Sequence, residues 1–246
     1  MRKNVKIIIE YDGTDYHGWQ CQGDLPTVQK TIEDALRQIT GESVKITGSG
    51  RTDTGVHAMG QVASFLTDTQ LDSETLRKAL NSTLPRDISI IRAQEVPQDF
   101  HAQFSSRSKV YEYRIFNRPN PPALQRNRVW HIPEKLDMGK MKEAISHLEG
   151  DHDFSVFATA DITVKTTVRT VKEVHVRKNR EGIILIEIEA NGFLKRMVRM
   201  ITGTLVEVGK GKLSPEGFGQ ILAEGKKTKN VFTAPPSGLF LKKVIY

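Results

Sequence analysis

The sequence predicts an α+β protein made of two ferredoxin-like (βαββαβ) halves, and three observations predict it. Runs rich in β-branched and aromatic residues alternate with stretches whose apolar residues keep helical spacing. In the first half these follow the order β-α-β-β-α-β, which places an antiparallel sheet against helices on one face. The second half repeats that order with insertions, although no repeat of sequence accompanies it. The expected division is residues 1–105 and 106–246, with the two sheets shared or joined.

The first half is read as follows. Val5–Tyr11 is β-branched and extended, and Asp12-Gly13 turns the chain. Tyr16, His17, Gly18, Trp19 and Gln20 make a polar, aromatic loop, read either as functional or as packed on its own rings. Thr27 caps a helix whose Val28, Ile32, Ala35, Leu36 and Ile39 share one face, and Gly41 ends it. Val44–Thr47 is a short strand, and Gln61–Leu66 is another. Ser73 caps a second helix carrying Leu76, Ala79 and Leu80, which must stop before Pro85. Ile88–Val96 closes the half as a strand.

The second half opens on the strand Lys109–Phe116. There, alternation sets Tyr111, Tyr113 and Ile115 on one face and Glu112, Arg114 and Phe116 on the other. A proline-rich loop leads to a short strand at Val129–Ile132. Asp137 caps a helix with Met138, Met141, Ala144, Ile145 and Leu148 inward and Gly150 past its end. Thr167–Arg177 and Gly182–Ala190 form paired strands. Phe193–Val208 reads as a helix, a shorter one follows Ser214-Pro215, and Gly238–Tyr246 is the last strand.

Charge and cysteine content narrow the function classes. The 246 residues hold 36 basic against 29 acidic side chains, a net charge of +7. That excess favours a polyanionic partner. One cysteine, Cys21, excludes an internal disulfide and a cysteine-rich metal site. No signal-peptide core and no apolar run of membrane-spanning length is present, so a cytoplasmic protein is expected. No phosphate-binding Walker loop, dinucleotide glycine motif or nucleophile elbow occurs. The seven histidines are scattered without metal-ligand spacing.

What remains is the stretch Gly48–Gly60, with four glycines in thirteen residues and with Arg51, Asp53 and His57 among them. Glycine allows positive φ and close backbone approach, both useful where a loop presents a side chain to a ligand. A surface turn with a capping aspartate is the plainer reading, and the pattern alone leaves both open. Tyr111 and Tyr113 are either core side chains or stacking surfaces for a nucleobase. Lys195, Arg196 and Arg199 sit near a helix start, where the dipole disfavours cations, so a carboxylate or phosphate partner is expected. Arg114, Arg118, Arg126, Arg128, Lys226, Lys227 and Lys229 are solvated charges singly and a phosphate-tracking surface together.

The segment Gly48-Ser-Gly-Arg-Thr-Asp-Thr-Gly-Val-His-Ala58 resembles the G-x-G-R-T-D-x-G-V-H-A signature of the TruA family of tRNA pseudouridine synthases at every fixed position. Other stretches resemble the family in the same order: Tyr11-Asp-Gly, Gly18-Trp-Gln, Thr27-Val-Gln, Ala79-Leu-Asn81, Phe100-His-Ala102, Lys109–Arg114, Asp151–Phe154, Met197-Val-Arg199 and Ala234–Leu239. One departure is Arg196, where many relatives carry histidine. The resemblance implies a cofactor-independent isomerase that converts uridine to pseudouridine at positions 38, 39 and 40 of the tRNA anticodon stem-loop. It implies a central antiparallel sheet with helices on its outer face, an active cleft between the halves, and a homodimer binding tRNA. By matching positions, Asp53 is the catalytic aspartate, Arg51 helps displace the base, Tyr111 lies beside it, Arg199 pairs with Asp53 and Leu239 lines the pocket. His57, Lys195 and Arg196 join the substrate-binding set. A non-catalytic RNA-binding module and a small-molecule enzyme on the same fold remain as alternatives from other classes.

Overall fold

A computed structural model describes residues 2–161 and 164–246. The chain forms two compact units. The first runs up to Arg107 and takes in Phe240–Tyr246, while the second is Ser108–Leu239. Both mix strands and helices, and nearly all strand pairs are antiparallel.

In the first unit β1 (Lys3–Tyr11) lies between β3 (His57–Thr67) and β4 (Ile88–Val96), antiparallel to both. Its odd residues Val5, Ile7, Ile9 and Tyr11 are buried, as a period of two requires. The last strand, β10 (Leu239–Ile245), pairs parallel to β3 through Phe240 opposite His57. Chain order alone would leave those residues in the second half. They are fixed in the first by Arg107 N–H to the Ile245 carbonyl (2.7 Å) and by the Tyr246 hydroxyl to the Ala102 carbonyl (2.7 Å).

Helix α1 (Val28–Thr40) starts on Thr27, whose hydroxyl accepts from the Lys30 amide, and ends on left-handed Gly41. Val28, Ile32, Ala35 and Leu36 form its buried face. Helix α2 (Ser73–Thr83) packs on α1 and β4. Its cap is Asp72, not Ser73: the Asp72 carboxylate, on extended backbone, accepts from the Glu74 and Thr75 amides at 2.9 Å. The strand expected over Val44–Thr47 shrinks to β2 (Thr47–Gly48). The cause is α1. Glu33 accepts the Ile46 amide (3.0 Å) and Gln29 donates to the Ile46 carbonyl (3.2 Å), so side chains satisfy groups that a ladder would otherwise use.

In the second unit the order is β5 (Ser108–Asn117), β9 (Ile183–Ala190), β8 (Val168–Lys178) and β7 (Gly150–Asp153). The short β6 (Trp130–Ile132) runs parallel along β5. Strand β9 is buried on both faces over Ile183–Ile186, an apolar run, and alternates beyond it, with Ile188 and Ala190 buried and Glu187 and Glu189 half-buried. Strand β7 is a glycine followed by three polar residues, so no apolar alternation announces it.

Helix α3 (Met138–Ser146) is capped by Asp137 and packs on α4 (Met197–Gly209), β8 and α5 (Pro215–Glu224). Nearly every residue of α4 is buried. Each Leu or Ile so enclosed contributes about 1.5–3 kcal/mol. Helix α4 begins at Met197, four residues later than the apolar spacing suggests. Arg196 holds a left-handed backbone, φ 63°, and a helix cannot propagate back through it.

Candidate active site

The residues ahead of β3 owe their position to its ladder. Residues Thr47 and Gly48 pair with Ser64 and Ala63, and the Ser49 amide reaches the Val62 carbonyl at 2.7 Å. Beyond Ser49 the chain leaves the sheet and returns as β3 at His57, so Gly50–Val56 is a loop closed at both ends by pairing. Within it Thr52 is buried, Arg51 is exposed and Asp53 is half-buried. Of the two charged residues that drew notice in the sequence, Arg51 is thus open to solvent and Asp53 partly so, with the residue between them buried. The Thr52 hydroxyl lies 2.8 Å from the Tyr11 hydroxyl. Asp53 closes a turn by accepting the Val56 amide on its carbonyl (3.1 Å).

The aromatic loop 16–20 clamps this segment. The Trp19 amide donates to the Thr52 carbonyl (3.1 Å) and the Gly55 amide to the Tyr16 carbonyl (3.3 Å). On its other side, Val28 and Gln29 at the start of α1 donate to the Gly18 and Trp19 carbonyls. Gly18 sits at φ +84°, where a Cβ would lie 2.4 Å from the Thr52 carbonyl oxygen. A Cβ on Gly48 would lie within 2.8 Å of the Trp19 indole. These two glycines are needed because the two loops touch backbone to backbone and ring to backbone. Of the two readings the sequence allowed for loop 16–20, packing prevails: Tyr16 and Trp19 are buried. The packing is against the Asp53 loop, so the loop serves that segment rather than only itself.

His57, expected among the substrate-binding residues, is 1 % exposed and stacks on Phe240 at 4.7 Å between ring centres. Its Nδ1 lies 3.1 Å from the Gly13 amide and 3.1 Å from Asp12 Oδ1. These two contacts demand opposite roles of that nitrogen, acceptor for the amide and donor to the carboxylate. A ring protonated only at Nε2 accepts from Gly13 on Nδ1, and a ring carrying a proton on Nδ1 donates to Asp12. Either way the imidazole ties loop to strand.

In the second unit Tyr111 stands on β5 opposite Ile188 of β9, 7 % exposed, and meets the Phe193 ring edge-on at 4.8 Å. Arg199, in the first turn of α4, donates from Nε to the Ala234 carbonyl (2.8 Å). The Ala234 amide donates back to the Arg199 carbonyl (3.1 Å). Tyr113 donates its hydroxyl to the Pro235 carbonyl (2.7 Å). Burial pushes the Tyr113 phenol far up, and the Arg199 charge offsets part of this. The segment Ala234–Gly238 is thus tied to α4 and β5 immediately before Leu239, itself 6 % exposed. The sequence offered this segment only as a matching stretch, and its bracing role was missed because the bonds go to backbone carbonyls.

Lys195 and Arg196 are exposed and precede α4 rather than lie on it, so the expected helical spacing of Arg196 and Arg199 does not hold. Lys195 has the carboxylate partner expected of these cations: Asp161, whose carboxyl its ammonium holds down to about 2. Several of the dispersed basic groups are engaged locally. Arg114 pairs with the buried Glu112 (2.8 Å), Arg118 lies over the Phe116 ring (4.2 Å), and Lys227 donates to the Ala158 carbonyl (2.6 Å). Lys226 and Lys229 are exposed. Among the described residues no group of three His, Cys, Asp or Glu is placed to hold a metal ion, and no helix is long and apolar enough to cross a membrane.

Comparison with known proteins bears on both units. A family profile described as tRNA pseudouridine synthase matches residues 7–105 and 144–246. The chain is 48 % identical over 244 residues to "tRNA pseudouridine synthase A" of Thermoanaerobacter sp. (strain X514), covering 99 % of this chain and 100 % of that one. It is 46 % identical over 244 residues to "tRNA pseudouridine synthase A 2" of Clostridium perfringens (strain 13 / Type A), with the same coverage. To "tRNA pseudouridine synthase A" of Ruminiclostridium cellulolyticum it is 44 % identical over 246 residues, spanning the whole of both chains.

Proposed function

Because this chain belongs to the tRNA pseudouridine synthase family, we propose that it isomerises uridine to pseudouridine in the anticodon stem-loop of tRNA, at positions 38, 39 and 40, with Asp53 as the reacting carboxylate. The observation that carries this reading is a full-length match joined to a clamped loop that carries an exposed Arg51 and a half-buried Asp53.

The reaction breaks the glycosidic bond from ribose C1′ to N1 and makes a new one from C1′ to C5. The C5 proton is lost and N1 gains one, so no redox change and no external group is needed. Asp53 attacks C1′ of the ribose and displaces N1, adds to C6 of the attached uracil, or acts as a base. The nucleotide must leave its stack to be reached, at a cost of a few kcal/mol that is smallest in a loop or at a stem end. Arg51, exposed beside Asp53, fills the vacated space or holds a phosphate. Tyr111 stands beside the base and its hydroxyl assists removal of the C5 proton. Arg199 supports the ionised form of Asp53, since a nearby opposite charge favours the charged state, and Leu239 supplies an apolar contact to the uracil. Lys195 and Arg196 bind the RNA backbone, Lys195 by exchanging Asp161 for phosphate. The same family reading makes the protein a cytoplasmic, cofactor-independent homodimer. The first unit is read as ferredoxin-like on its order β4-β1-β3-β2.

The test is tRNA labelled with tritium at uridine C5. Wild-type protein should release the label and leave pseudouridine at the three anticodon-arm positions. Asp53→Asn should bind the tRNA and release nothing. Turnover by that variant would remove Asp53 from the chemistry, and binding without rearrangement by wild type would leave a non-catalytic RNA-binding module.

A further inference from the structure

We propose that Gln61 and Tyr11 are positioning residues for Arg51 and Asp53, acting through a buried hydrogen-bonded frame beneath the loop. The inference rests on the reading of Asp53 as the reacting group.

Gln61, on β3, is fully buried. Its Oε1 accepts from the Ser49 hydroxyl (2.7 Å) and the Val62 amide (3.1 Å), and its Nε2 donates to the Gly50 carbonyl (2.9 Å). The residue before Arg51 is therefore fastened to the sheet. Tyr11, at the end of β1 and 3 % exposed, fastens the residue after it through the Thr52 hydroxyl, 2.8 Å away. The two supports thus hold the backbone on either side of Arg51. Burial pushes the Tyr11 phenol up, so it stays a neutral hydroxyl. Below the loop Ile9 stands opposite Gln61 and Tyr11 opposite Ala58, with a shift of register between the two pairs.

Stability gives little reason for such a network. Apolar side chains at positions 11 and 52 would fill the same space without desolvating two hydroxyls, and buried polar networks contribute geometry more than net stability. What the network fixes is the backbone on both sides of Arg51 and directly before Asp53. Catalysis is sensitive to that, because a displacement of about 1 Å can cost on the order of a hundredfold in rate.

The experiment compares full-length wild type with Tyr11→Phe, Thr52→Val, Thr52→Ser, Gln61→Met and the double variant Tyr11→Phe/Thr52→Val. Pseudouridine formation in tRNA gives kcat and KM, urea unfolding gives stability, and amide exchange is followed at Trp19 and Gly55. Expected for Tyr11→Phe and Thr52→Val is a kcat about 10- to 100-fold lower with KM within about threefold. Faster exchange at Trp19 and Gly55 should accompany it, and Thr52→Ser should stay close to wild type. The double variant should lose no more than the worse single one, because both remove the same bond. Gln61→Met leaves the Gly50 carbonyl unpartnered and risks unfolding, so the two hydroxyl variants carry the decision. A folded Tyr11→Phe with kcat within about twofold of wild type, or a loss that matches the unfolded fraction, would overturn the inference while leaving the proposed activity intact. A wild type that forms no pseudouridine would overturn both.

Discussion

Arg199 and Ala234 bond each other twice. The guanidinium Nε donates to the Ala234 carbonyl at 2.8 Å, and the Ala234 amide donates to the Arg199 carbonyl at 3.1 Å. A helix and an irregular segment 35 residues later in the chain are joined by both side chain and backbone. Replacing Arg199 by lysine keeps the charge but removes the Nε–H and the planar fork. Arg199→Lys should therefore lose about 1–2 kcal/mol of stability, since a carbonyl is left without its charged donor, and kcat should fall at least about tenfold. Urea unfolding and single-turnover kinetics on the same preparation check both. A variant with wild-type rate would take the guanidinium out of the proposed chemistry.

Gly18→Ala tests the contact between the two loops. An alanine there must hold φ +84°, and its Cβ would stand 2.4 Å from the Thr52 carbonyl oxygen. The left-handed conformation costs about 1–2 kcal/mol by itself, and relief of the clash moves the Asp53 loop. Lower stability by at least about 2 kcal/mol is expected, with loss of activity beyond the loss of folded protein. Gly23→Ala is the control. Gly23 also has positive φ, at +52°, but nothing lies within 4 Å of its added Cβ. It should show only the backbone cost, with activity per folded molecule unchanged.

The Lys195–Asp161 pair makes a pH-dependent prediction. Asp161 is exposed and its carboxyl is held at about 2, against an ordinary 3.8, first of all by its bond with Lys195. A carboxyl depressed in the folded state stabilises it above the unfolded value, and that contribution fades as pH falls through the folded one. The stability difference between wild type and Lys195→Ala should thus be constant above about pH 5, shrink as pH falls and vanish only below about pH 2. In Lys195→Ala the Asp161 carboxyl should titrate closer to 3.8 when followed by NMR. An unmoved titration would show that Lys195 does not hold it. The effect should shrink in high salt, as for any exposed pair.

Much of this molecule follows from short-range chemistry and is therefore written locally in the sequence. Thr27 and Gly41 bound α1, Asp137 starts α3, and Ile88–Val96 is a strand to the residue. Caps act over three or four residues and strand alternation over two, so a window of ten positions contains the whole cause. The Gly48–Gly60 pattern likewise marks Arg51 and Asp53 as residues to watch, because glycine spacing around two charges is itself local.

Tertiary structure decided what depends on partners far along the chain. His57 is a buried tie because Phe240 pairs beside it, 183 positions later by residue number. The strand over Val44–Thr47 contracts because Glu33 and Gln29 take its backbone groups. The aromatic loop 16–20 becomes a clamp only when Thr52 and Gly55 come under it. Helix α4 starts late because Arg196 adopts a left-handed backbone that its side chain does not announce. In each case a backbone donor, acceptor or ring finds its partner through sheet pairing or burial. Those energies are settled by which surfaces the fold brings together, and no stretch of neighbouring residues records them.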